Sequence, residues 1–259
     1  MKMEIGTKIA NRQRFSIDLE TAGHGIIVGN TGSGKTNALQ LLACGALRSN
    51  GRIILGGCDA SGILFAPLQE SPYRWSLGES PEKAVSVVEK LVSVMQTRLI
   101  WLREHQADSL GEPDSTVPRI LIIFEELPAL RSLLSAADLG EKKPVSERLL
   151  TRFSKAVLRL HAEGRKANFS CFSASQVGQK ETIEYRNNCL FTCVFRTENV
   201  ESRMLLPGIS ADEQEALSVA APGVCFIRSG SGKNGFVKLD FLSYERYRLC
   251  ALEAERLRG

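Results

Sequence analysis

Residues 29–36 read Gly29-Asn30-Thr31-Gly32-Ser33-Gly34-Lys35-Thr36, and this octet constrains the chain more than any other feature. It meets the pattern G-x-x-x-x-G-K-[ST] in the setting that gives the pattern meaning. An apolar run, Gly25-Ile26-Ile27-Val28, precedes it and reads as a strand, and Asn37-Ala38-Leu39-Gln40-Leu41-Leu42-Ala43 follows and reads as a helix. The glycines let the backbone curl so that successive N–H groups converge on an anion, and the helix N-terminus adds a favourable dipole. In such a loop the lysine reaches the β- and γ-phosphates and the following hydroxyl holds Mg²⁺. The sequence therefore predicts a nucleoside triphosphate site built from Gly29 to Asn37, with Lys35 on the phosphates and Thr36 on the metal.

Composition sets the frame for that site. The 259 residues are enough for a large α/β core, and 43% hydrophobic with 24% charged residues is the balance of a folded globular domain. No apolar run approaches the roughly 18–20 residues that span a bilayer. The N-terminal Met1-Lys2-Met3-Glu4-Ile5-Gly6 lacks the apolar stretch of a signal peptide. Seven cysteines without a C-x-x-C pair or a histidine cluster argue against zinc and for reduced thiols in a cytoplasmic setting. A net charge of +4 permits a nucleic-acid partner without requiring one.

Along the chain, strands alternate with helices. Ile17 to Glu20 and Gly25 to Val28 read as strands joined by the turn Thr21-Ala22-Gly23-His24, and Ile53-Ile54-Leu55 as a short buried strand before Gly56-Gly57-Cys58-Asp59. From Glu82 to Arg103 the apolar positions Val85, Val88, Val92, Met95, Leu99 and Leu102 recur at helical spacing behind a Ser80-Pro81 start. Arg119 to Phe124 is a continuous apolar run, the mark of a central strand covered on both faces. A charged loop at 138–146 leads to a helix from Ser146 to Ala162, then strands at Asn168 to Ser173 and Cys189 to Phe195. Gly223 to Arg228 and Gly235 to Phe241 form a C-terminal β-hairpin whose tip, Gly230-Ser231-Gly232-Lys233, only echoes the phosphate loop. The expectation is a single α/β domain over residues 1–259: a P-loop NTPase with a central, mostly parallel sheet of the nucleotide-binding kind flanked by helices, and residues 1–20 as an N-terminal strand region.

The strand at 119–124 ends in Glu125-Glu126. An acidic residue at that end of a buried strand beside a phosphate loop is placed to anchor Mg²⁺, and its neighbour to polarise the attacking water. Glu125 is assigned the metal and Glu126 the general base; the bland alternative is that the pair opens a solvated loop or caps the next helix. Phe169 to Gln176 reads as a buried strand ending in the polar pair Ser175-Gln176, and Gln176 is placed to sense the terminal phosphate and orient the water; the bland alternative is a turn glutamine at a strand end.

The order of these motifs resembles the FtsK/SpoIIIE branch of the FtsK–HerA translocases. The resemblance runs from Phe15-Ser16-Ile17-Asp18-Leu19 through the phosphate loop, to Asp59, to Ile122-Ile123-Phe124-Glu125-Glu126-Leu127. It continues with Gly164-Arg165-Lys166-Ala167-Asn168, Ala174-Ser175-Gln176, Val200-Glu201-Ser202-Arg203 and Pro207-Gly208. It implies a RecA-like fold and an ATP- and Mg²⁺-dependent motor that self-associates into a ring, expected to be a hexamer, around double-stranded DNA gripped without regard to sequence. It makes Arg165 the arginine finger offered to a neighbouring subunit, a contact worth roughly 10³–10⁵ in rate where GTPases have one. Arg203 is a second candidate for the finger or for an interface contact. Connections at 66–81, 104–118 and 128–148, with Arg131, Lys142, Lys143 and Arg148, become candidate pore or interface loops.

Two departures matter. Glu125-Glu126 stands where the family usually has Asp-Glu, so turnover is expected to be slow. Ala174-Ser175-Gln176 is followed by Val177-Gly178-Gln179 and not by arginine-proline. With neither an anchor before the motor nor a winged-helix module after it, the resemblance points to the short branch serving plasmid conjugation and other mobile elements, recruited to the membrane by a partner or relaxase. The alternatives it leaves are a coupling or secretion ATPase acting on a protein, and a phage-type DNA-packaging ATPase.

Overall fold

The computed structural model describes residues 2–68, 80–110, 116–140, 142–176, 185–197, 205–230, 232 and 235–256. Among these residues nine strands form one sheet. In chain order they are β1 (Lys2–Lys8), β2 (Arg14–Asp18), β3 (His24–Val28), β4 (Ile53–Asp59), β5 (Arg119–Glu125), β6 (Phe169–Ser175), β7 (Cys189–Phe195), β8 (Val224–Arg228) and β9 (Gly235–Leu239). Their order across the sheet is β2-β1-β9-β8-β7-β3-β6-β5-β4. Strands β7, β3, β6, β5 and β4 run parallel, and the other four join antiparallel on one side. Strand β3, which feeds the expected phosphate loop, lies within the parallel half. The expected RecA-like α/β class and the C-terminal hairpin are both present.

The helices are α1 (Leu19–Ala22), α2 (Lys35–Leu47), α3 (Pro81–Glu104), α4 (Leu127–Ala137), α5 (Leu149–Glu163), α6 (Ala211–Ser218) and α7 (Tyr244–Arg256). One face of the sheet is covered by α2 and α7, whose Leu39, Leu42, Ala43, Tyr247 and Ala251 share a core with Ile27, Leu121 and Phe172. The other face is covered by α3, α4 and α5 through Val88, Met95, Leu130, Phe153 and Leu160 against Ile26, Ile122 and Phe124. The alternation of Ile26 and Ile27 between these cores is the two-residue period of a strand covered on both sides. Helix α3 begins as its sequence predicts: the Ser80 side chain accepts from the Lys83 N–H and Pro81 opens the first turn.

Four expectations are corrected. The turn after β2 is the one-turn helix α1, and His24, expected in that turn, is the first residue of β3. There it is 2% exposed and its Nδ1 accepts from the Cys171 N–H. The strand at Ile53 continues through both glycines to Asp59. Part of the connection at 128–148 is α4; Pro128 opens that helix and does not break it, since the first turn of a helix has no use for its missing N–H. The helix expected from Ser146 starts at Leu149, after a 3₁₀ turn at Val145–Glu147, with the Leu149 and Leu150 N–H groups donated to the Asp138 carboxylate.

Candidate functional site

The phosphate loop runs from the end of β3 into the first turn of α2 and is pinned from three sides. The Gly29 N–H donates to Ser175 O at the end of β6, the Asn30 N–H to Arg196 O just past β7, and the Gly223 N–H before β8 to Ser33 O. Gly34 caps α2 in the left-handed region at φ 118°, with Phe195 and Gly223 so close that a side chain there would press on both. Gly32 is also left-handed, at φ 74°. The Lys35 ammonium is folded into the loop, 2.8 Å from Gly29 O and 3.2 Å from Asn30 O. Burial pulls its pKa below the ordinary lysine value, and Glu126 and Glu125 oppose that pull. The Ser33 hydroxyl is buried with no partner.

Strand β5 brings the carboxylates in. The Thr36 hydroxyl donates to Glu125 Oε1 at 2.7 Å, which ties the start of α2 to the end of β5. The other oxygen, Oε2, is buried with no N–H or hydroxyl donor on it, while the carboxyl lies within hydrogen-bond reach of Asp59. Asp59, opposite Glu125 in the β4–β5 register, is completely buried and accepts from Ser61 N–H, Ser61 Oγ and Leu64 N–H. Burial lifts the Glu125 pKa from 4.5 to about 7; the Thr36 hydrogen bond opposes this, while Asp59 and Glu126 reinforce it. A half-satisfied carboxylate at a threonine hydroxyl, beside an unpartnered serine hydroxyl in a loop of inward N–H groups, has the donor set that Mg²⁺ and a phosphate chain complete.

Glu126 adopts φ 48° and ψ 53° at the N-terminal boundary of α4, without a side-chain capping bond. A left-handed backbone at a non-glycine residue costs on the order of 1–3 kcal/mol and clusters at functional sites. The bland reading, a simple cap, thus finds the position but not the hydrogen bond. Gln176 is exposed directly after β6, the strand lying between β3 and β5.

Two other predicted residues fall elsewhere. Arg165 lies at the opposite end of the sheet, its side chain packed at Gly23 before β3. The length of β3 separates it from the phosphate loop of its own chain by about 15 Å. Arg203 and Ser202 lie outside the described residues, as do Val177 to Gln179 and much of the connections at 66–81 and 104–118. The Asn37 side chain is committed away from the loop: its Nδ2 donates to Asp240 O and its Oδ1 accepts from the Leu242 N–H. Sequence reasoning passed over this tie and the segment it holds, because no motif marks residues 240–242.

The FtsK/SpoIIIE family model matches residues 1–191, which carry the phosphate loop, the Glu125-Glu126 strand and Gln176 in order. The chain belongs to the FtsK/SpoIIIE family. This member is a P-loop ATPase. No curated protein matches it closely enough to count. Among solved structures it is similar to the conjugation coupling protein TcpA of pCW3, bound to ATPγS, at 17% identity and a TM-score of 0.77, covering 98% of this chain and 70% of that one. It is also similar to EssC ATPases 2 and 3 from Geobacillus thermodenitrificans, at 14% identity and a TM-score of 0.71, covering 100% of this chain and 48% of that one. The cytoplasmic domain of the type VII secretion ATPase EccC of Thermomonospora curvata gives 18% identity and a TM-score of 0.71, covering 100% and 31%. The FtsK/SpoIIIE member thus spans from 31% to 70% of these longer chains, and at such identities the likeness is one of fold. Among the described residues no helix is long and apolar enough to cross a membrane.

Proposed function

We propose that this chain is an ATP-hydrolysing DNA translocase motor serving the transfer of plasmid or other mobile-element DNA. The observation that carries the reading is the convergence of Lys35, Thr36, Glu125, Glu126 and Gln176 at the ends of β3, β5 and β6 in a chain whose first 191 residues match the FtsK/SpoIIIE model. Thr36 and Glu125 would hold Mg²⁺, which when bound supplies charge neutralisation at the phosphate oxygens. The chain's own groups do the remaining work. The loop N–H groups orient the phosphates, and Lys35 exchanges Gly29 O and Asn30 O for phosphate oxygens. Glu126 accepts a proton from the attacking water, and Gln176 hydrogen-bonds that water or the terminal phosphate. Arg165, out of reach of its own loop, acts on the nucleotide of a neighbouring subunit, so hydrolysis depends on assembly into a ring.

The test is ATP hydrolysis with and without double-stranded DNA, for the native chain beside Lys35→Ala. DNA is expected to raise the native rate several-fold, with Lys35→Ala inactive in both conditions. A native rate indifferent to DNA but raised by a protein substrate would replace the DNA motor with a protein-coupling ATPase.

A further inference from the structure

We infer that Phe241 is the stacking platform for the nucleobase of the bound nucleotide. The inference rests on the ATP site proposed above and extends it to the end of the ligand that the phosphate loop does not touch.

Three observations place it there. The first is exposure: Phe241 is 84% exposed, the highest value among the large exposed hydrophobic residues described. A phenylalanine left this open offers a large apolar face for a ligand to cover. The second is anchoring. Asn37 grips the backbone on both sides of Phe241, through Asp240 O at 2.9 Å and Leu242 N at 2.9 Å. The aromatic residue is thereby fixed at the first turn of α2, one residue from Thr36. Asp240 itself is held from behind by Arg14, which donates to both of its carboxylate oxygens.

The third is direction. Sheet order puts β6 and β5, with Gln176, Glu125 and Glu126 at their ends, on one side of β3, and β7, β8 and β9 on the other. The terminal phosphate belongs beside the carboxylates. The nucleoside end must then leave the loop toward the other side, and residues 240–242 follow β9 directly on that side. A base–aromatic stack needs no hydrogen-bonded readout, so one anchored, exposed ring suffices to hold the base.

The experiment compares ATP with inorganic tripolyphosphate, which has the phosphates and no base, on the full chain. Stacking of this kind is worth roughly tenfold or more in affinity. Phe241→Ala is therefore expected to weaken ATP binding by about that factor and to leave tripolyphosphate binding unchanged, whereas Lys35→Ala weakens both. Because the ring is exposed, its loss should leave folding intact, which a thermal melt verifies. Phe241→Trp should restore ATP affinity, and its indole fluorescence should be quenched by ATP and not by tripolyphosphate. Native ATP affinity in Phe241→Ala, with Lys35→Ala still defective, overturns the platform and leaves the phosphate site standing. Native binding of both ligands by Lys35→Ala overturns both.

Discussion

Glu125 keeps one oxygen on the Thr36 hydroxyl and buries the other with no N–H or hydroxyl donor on it, an arrangement that costs stability and that the proposed Mg²⁺ would relieve. The direction of the cost follows from its raised pKa. In the unfolded chain this carboxyl ionises near 4.5, and in the folded chain near 7. Below pH 4.5 it is protonated in both states and folding carries no penalty. Between 4.5 and 7 the folded state retains a proton that the unfolded state loses, so stability falls as pH rises, and above 7 the penalty is complete. Glu125→Gln removes the charge and keeps the acceptor for Thr36. Without nucleotide or Mg²⁺ at pH 8, the variant is expected to melt at least about 2 °C higher than the native protein, roughly the shift for 1 kcal/mol at this size. At pH 4.5, where the unfolded carboxyl is only half ionised, the difference should shrink almost to nothing. The same variant should lose Mg²⁺-dependent hydrolysis, the trade of stability for activity common at such sites. Equal melting temperatures at both pH values would show that the buried carboxylate carries no strain. The motif places Thr36 because its eight residues are contiguous. The oxygen without a donor and the Asp59 neighbour come from pairing β4 with β5, about sixty residues apart in sequence, and no local pattern encodes that.

At the scale of elements, the features legible in the sequence were those with a strong local period or a complete motif. Helix α3 has both a cap and a stripe, and β5 is an unbroken apolar run bounded by Arg119 and Glu125. The elements less legible are short or begin on residues that usually break structure. Helix α4 opens on Leu127-Pro128, α1 is a single turn, and β4 hides half its length behind Gly56-Gly57. Gly57 is there for a physical reason. It holds φ 141° within β4, and a Cβ would sit 1.8 Å from Ile123 O on β5. That close approach carries Cys58 and Asp59 to the end of the sheet beside Glu125. Gly57→Ala is expected to cost about 3 kcal/mol or more, from the strained backbone and the clash together. Gly140→Ala, at φ 81° but with nothing within 4 Å, should cost only about 1 kcal/mol. Urea denaturation of both variants reads the contrast, and equal losses would mean that backbone conformation alone decides the two positions.

For the molecule as a whole, the decisive separation is between Arg165 and the phosphate loop. The two lie at opposite ends of β3, one packed at Gly23 and the other leaving Val28, in a sheet whose strands are close-packed and do not slide. An arginine so placed serves catalysis only if a second copy presents its own loop to that end of the sheet. Contacts of this head-to-tail kind are heterologous, closing into a ring when the rotation between copies closes and running on as an open filament when it does not. Complementation follows from that geometry. With Arg165 as the proposed finger, Lys35→Ala keeps the arginine and loses the loop, and Arg165→Ala keeps the loop and loses the finger, so each alone should hydrolyse ATP at background rate. In an equal mixture allowed to exchange subunits, about a quarter of the interfaces would pair an intact loop with an intact finger if assembly is random and head-to-tail. Hydrolysis in the mixture should therefore rise well above either variant, and Arg165→Ala should bind nucleotide normally, since the lost contact belongs to its neighbour. A mixture that stays at background, from variants shown to co-assemble, would confine Arg165 to the packing at Gly23 and require another residue to stabilise the transferring phosphoryl group.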